Sequence, residues 1–124
     1  MEIKMINLTP HIIRFLDPAS TRFSNVEPVI LRVIQPSGLI ARANYKERRL
    51  EVIHTDLGIT LNVIKTDFGK VINLPPKREG VILLVSRLVV ELEGHRRPDI
   101  YFIAGLRRDP RTGKVMGGTG LARI

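Results

Sequence analysis

The chain reads as an α+β protein. An antiparallel β meander, which could close partly into a barrel, is joined to one short helix in a β-α-β unit and to a C-terminal hairpin. Three observations predict this. Runs rich in β-branched residues, such as "PVILRVI" and "RLEVIHT", recur through the first half between Pro, Gly and Asp turn signals. The continuous apolar run "VILLV" at 81–85 has the character of a strand buried on both faces. Directly after it, Ser86 precedes Leu88, Val89 and Leu92 at helical spacing, and Gly94 ends the pattern.

Each element follows in order. "IKMINLTPHIIRFL" alternates loosely and is interrupted by Thr9-Pro10, and Asp17-Pro18 then opens a polar loop running through Asn25. "PVILRVIQPSG" is a strand closed by Pro36-Ser37-Gly38, and "LIARANY" is expected to pair back on it as a hairpin. Three short β-rich runs should follow, separated by Asp56-Leu57-Gly58 and Asp67-Phe68-Gly69. In such turns Gly supplies positive φ and Asp bonds to nearby backbone. Pro75-Pro76 and "KREG" break the chain before the β-α-β unit. Ser86 is the expected N-cap of a helix of about eight residues. A strand at 100–104 leads into a hairpin whose turn is Asp109-Pro110-Arg111-Thr112-Gly113, followed by a glycine-rich strand or tail.

At 124 residues, with no repeat, linker or low-complexity segment, residues 1–124 form a single domain. The absence of cysteine excludes disulfides, thiolate nucleophiles and cysteine-ligated metals. That absence, with abundant Ile, Val, Leu and Arg and 8 prolines, would suit a thermostable protein. No secretory signal pattern opens the chain and no apolar run approaches the ~20 residues that cross a bilayer, so a cytoplasmic protein without membrane association is expected. If the source is a phage, that cytoplasm is the host's.

The formal charge is +8, from 20 Lys and Arg against 12 Asp and Glu. A field of that sign attracts polyanions. The positive residues cluster in "YKERR", "GHRRP" and "LRRDPRTGK", all at expected loops or element ends.

Taken in order, "INLTPH", "QPSGLIARA", "FGKVINLPPKREGVILLVSRLVVE", "RRPDIYFIAG" and "RDPRTGKVMGGTGLAR" carry a resemblance. The chain resembles a family of small bacterial and phage proteins with an Asn-Leu-Thr-Pro-His start, a Pro-Ser-Gly turn and a C-terminal Arg-Asp turn before a glycine-rich end. The resemblance spans nearly the whole chain and implies no activity, because none is assigned to the family. It does imply a host-takeover or anti-defence setting. Members of the family would carry a cysteine in the terminal glycine run, where this chain has Gly118 or its neighbour, so any thiol-dependent role is in doubt.

Arg96, Arg97, Arg107, Arg108 and Arg111 form the main binding signal, since the planar guanidinium fork suits phosphate. The two arginine pairs bracket a strand of 98–106 whose ends lie roughly 25–30 Å apart if extended, so one small phosphate cannot engage both. Asp99 and Asp109 offer the alternative of surface ion pairs. Tyr101 and Tyr45 are the candidate stacking surfaces, with one of Tyr101 and Phe102 expected in the core. No interleaved basic–aromatic platform appears. Ser86 stands at a strand-to-helix turn that could receive a phosphate, but no glycine-rich loop precedes it and no Gly-x-Ser-x-Gly surrounds it. His11, His54 and His95 share no metal-ligand spacing, and His11, after Thr-Pro, could lock a turn or touch a ligand. "GGTG" at 117–120 precedes no helix and reads as tight packing. No carboxylate pair or Ser/His/Asp set supports catalysis, and neither a metal nor a cofactor is expected.

The expectation is therefore a non-enzymatic binding protein for a phosphate-bearing, nucleotide-type small molecule, acting as a small homo-oligomer. In a phage it could sequester a nucleotide signal. Two alternatives stay open: a basic nucleic-acid-binding accessory protein, and a structural or virion assembly protein.

Overall fold

The computed structural model describes residues 2–21 and 27–124. Most of them lie in eight strands: β1 Lys4–Asn7, β2 Ile13–Leu16, β3 Ile30–Ile34, β4 Arg42–His54, β5 Thr60–Ile72, β6 Val81–Leu84, β7 Ile100–Arg108 and β8 Val115–Ala122. A 3-10 turn at Pro18–Thr21 and one helix, α1 Arg87–Glu93, complete the described elements. The loop expected to continue through Asn25 lies partly outside the described residues. No helix among them is long and apolar enough to cross a membrane.

Six strands make one sheet in the order β1-β6-β7-β8-β2-β3. An isolated parallel bridge from Asn7 to Pro36 brings the end of β1 beside the segment after β3, so the sheet nearly closes into a barrel. β6, α1 and β7 form the expected β-α-β unit, with β6 and β7 parallel. β7 and β8 form the expected C-terminal hairpin. Its turn is held by Asp109: the Gly113 amide donates to the Asp109 carbonyl at 2.7 Å and the Arg111 amide to its Oδ1 at 2.8 Å.

The terminal glycines are packing residues of β8. A Cβ on Gly118 would stand 2.6 Å from the Ala104 carbonyl oxygen, and one on Gly117 2.6 Å from that of Arg14. Only hydrogen at these positions lets β7 and β2 approach β8 so closely.

The middle of the chain departs from the expected hairpins. "LIARANY" does not pair back on β3. Instead β4 and β5, 13 residues each, pair with one another as a separate antiparallel ribbon. Asp56-Leu57-Gly58 is its turn, but Asp67-Phe68-Gly69 lies inside β5 beside a register shift. At ~3.3 Å per residue this arm is about 40 Å long.

Burial is concentrated where α1 meets the sheet and the arm root. Leu8, Ala41, Val71, Leu83, Val85, Val89, Val90 and Ile100 form one cluster, with Phe102 packed against it. Ser86 caps α1 by accepting from the Val89 amide at 3.4 Å. Gly94 ends α1 with right-handed φ −59° and ψ −28°, so conformational freedom is not why glycine stands there. A Cβ would meet the Val90 carbonyl oxygen at 2.5 Å and the Ile124 side chain at 3.0 Å.

Candidate functional site

Most of the cations singled out in the sequence are held by the protein itself. Arg97 makes a bidentate pair with Asp99, Nε to Oδ1 at 3.0 Å and Nη2 to Oδ2 at 2.9 Å, and Nη2 also donates to the Pro75 carbonyl. The Asp99 side chain is only 4% exposed. The Arg97 hydrogen bonds hold its carboxyl below the ordinary carboxylate range despite burial. This pair ties the start of β7 to the loop before β6, where a small cavity of about 280 Å³ is lined by Ile6, Pro75, Pro76 and Asp99 among others.

Arg96 pairs with Glu93, one turn back on α1. Arg107 donates to the Ser20 carbonyl at 3.2 Å and Arg108 to the Gly113 carbonyl at 2.9 Å. Arg111 stands 4.0 Å from Asp109 with 87% of its side chain exposed. Ion pairs at Asp99 and Asp109, the alternative weighed for these arginines, are thus present in the structure.

His11 is exposed, and what it contributes to its turn is backbone. The turn belongs to Asn7, which is 1% exposed. Its Nδ2 donates to the His11 carbonyl at 2.7 Å and to the Ile34 carbonyl at 3.2 Å. Its Oδ1 accepts from the Thr9 amide at 2.9 Å and the Thr9 hydroxyl at 2.7 Å. The Asn-Leu-Thr-Pro-His motif is thus a hydrogen-bonded clasp at the barrel seam. Sequence reading named its histidine and missed its asparagine, although an Asx residue two positions before Thr is a turn signal. Tyr101 and Phe102 are both half-buried rather than divided between core and solvent, and Phe102 lies under the Arg87 guanidinium at 5.8 Å. No group of three His, Asp or Glu among the described residues could hold a metal ion.

Of the predicted residues, Tyr45 alone lines a groove of about 700 Å³ at the arm root. Arg42, Asn44, Lys46, Asp67, Phe68 and Gly69 line it too. Tyr45 and Phe68 are cross-strand partners, their centroids 6.4 Å apart and their planes at 61°. Neither is buried: Tyr45 is 61% exposed and Phe68 45%. Asp67 is engaged by Arg48 at 2.9 Å and by Lys65 at 3.8 Å. Arg42 and Lys46 have no acidic partner among the described residues. The groove thus sets an exposed aromatic pair beside two uncommitted cations. Arg42 and Phe68 escaped sequence reading, and Lys46 was read only within the "YKERR" cluster, because the register that joins them to Tyr45 exists only once β4 pairs with β5.

Comparisons with protein-family models, with curated proteins and with solved structures find no match to this chain.

Proposed function

We propose that the protein is a non-enzymatic binding protein for a phosphate-bearing, nucleotide-type molecule, and that the arm-root groove is its site. The observation that supports this reading is the exposed Tyr45–Phe68 pair flanked by the unpaired cations Arg42 and Lys46. A base stacks against the aromatic pair while the cations meet phosphate oxygens. Base stacking on one aromatic contributes about 1–3 kcal/mol. Arg97, committed to Asp99 and Pro75, plays a structural part instead.

Heat denaturation of protein purified under nuclease at high salt, with mass spectrometry of the filtrate, identifies a carried ligand. Titration with a panel of nucleotides then measures affinity. Tyr45→Ala and the double change Arg42→Ala with Lys46→Ala should each weaken binding by on the order of 10- to 100-fold. Arg96→Ala should leave it unchanged. Equal affinity in wild type and all variants would remove the groove as the site. The +8 charge also suits a longer polyanion. Under that second reading binding weakens steeply with salt, by about one power of concentration per phosphate contact.

A further inference from the structure

About half of the exposed large apolar side chains among the described residues lie in two stretches. One is the arm tip, with Leu50, Ile53, Leu57, Ile59, Leu61 and Ile64, where Leu57 reaches 81% exposure. The other is the sheet edge at β3, with Val29, Ile30, Leu31 and Val33. β3 pairs with β2 on one side, and from Ile30 to Val33 no described strand covers its other edge. A two-stranded ribbon is marginal in water without something packed on it, and an uncovered apolar edge strand is a pairing surface. Both patches are exposed in the single chain, so the chain does not satisfy either with the other.

Charge identifies what covers them. Residues 50–64 contain Glu51 and Asp56 and no Lys or Arg, a formal charge of −2, so the remainder of this +8 chain carries +10. The β2–β3 surface carries Arg14 and Arg32, and no ion pair engages either among the described residues. An acidic, apolar tip repels nucleic acid and anionic membranes but complements the basic, apolar β3 edge. Extent agrees as well. Residues 50–64 and 29–34 together number 21 per chain, within the about 20–30 per side of a stable interface.

We infer that a second copy of this chain covers both patches. The arm tip of each protomer seats on the β3 edge of its partner in a reciprocal, closed dimer. The arm-root groove lies outside both patches, so this inference is independent of the ligand reading.

Sedimentation velocity at about 1 and 100 µM tests it on the full chain. A species of twice 14.0 kDa is expected at the higher concentration. Leu57→Asp with Ile59→Asp alters the tip, and Leu31→Lys alters the edge. Either change should weaken self-association by on the order of 100-fold. Circular dichroism should show both variants folded, because the altered side chains are exposed. Mixing the two variants should restore a dimer, since one intact tip then meets one intact edge. A full chain that stays monomeric at both concentrations overturns the inference. So does a tip variant that dissociates while the edge variant still dimerises, because that result means the arms pair with each other.

Discussion

At the scale of single residues, two buried polar groups hold the barrel. Asn7 satisfies two carbonyls and accepts two hydrogen bonds from Thr9, so each of its side-chain polar atoms is used. Asn7→Asp puts an oxygen where a donor stood, facing the carbonyls of His11 and Ile34. It should cost about 1–3 kcal/mol for each carbonyl left unsatisfied, read as a lower urea midpoint, and His11→Ala should leave that midpoint nearly unchanged. The Arg97–Asp99 pair makes a second prediction. Asp99 titrates lower in the folded chain than its ordinary value near 3.9. Its contribution is therefore present above about pH 4 and lost as pH falls through the folded value. Arg97→Ala strands a buried carboxylate and should cost about 3 kcal/mol at neutral pH. Asp99→Asn should flatten the acid limb of the stability–pH curve. Residue chemistry was only partly legible. The arginine clusters stood out, but whether a guanidinium meets solvent or a carbonyl 22 positions away, as Arg97 meets Pro75, depends on tertiary structure.

At the scale of elements, β6, α1 and β7 were readable because their signals are local: a continuous apolar run, a capping serine and a glycine stop. Ser86→Ala removes the cap of a 7-residue helix. It should cost about 1 kcal/mol, a fall of about 4 °C in Tm by calorimetry for a chain of this size. The arm was misread for an equally physical reason. Asp67-Phe68-Gly69 has turn chemistry, yet in the strand register Phe68 stands opposite Tyr45 and Asp67 opposite Lys46. Cross-strand pairing outweighed the local preference and converted a candidate turn into a register shift. The parallel β1–β6 pairing was equally illegible, since alternation along a strand reports its faces and not its neighbour.

At the scale of the whole molecule, a nearly closed sheet with a protruding ribbon should not unfold uniformly. Core strands exchange amide hydrogens only through large openings, whereas a ribbon that meets the body chiefly through α1 opens by itself. Hydrogen–deuterium exchange should show amides of 50–64 losing protection on dilution while those of β7 keep theirs. Uniform protection along both, independent of concentration, would contradict that division. The mixed α+β class and the short helix α1 were visible from composition and spacing alone. The barrel seam was not, because it depends on Asn7 reaching Ile34 and Pro36 across the sheet.

The strand order also sets the sequence of events on the ribosome. The arm is built from neighbours in the chain and can zip as soon as it emerges. The barrel must wait: β1 finds its partner only at Val81, and β2 meets β8 only at Gly118. Until the last strand is released, β7 has a bare edge and β2 lacks its β8 neighbour. The nascent chain therefore presents an early, apolar-tipped ribbon beside an unfinished sheet, and its vulnerability to premature association is greatest just before β8 emerges.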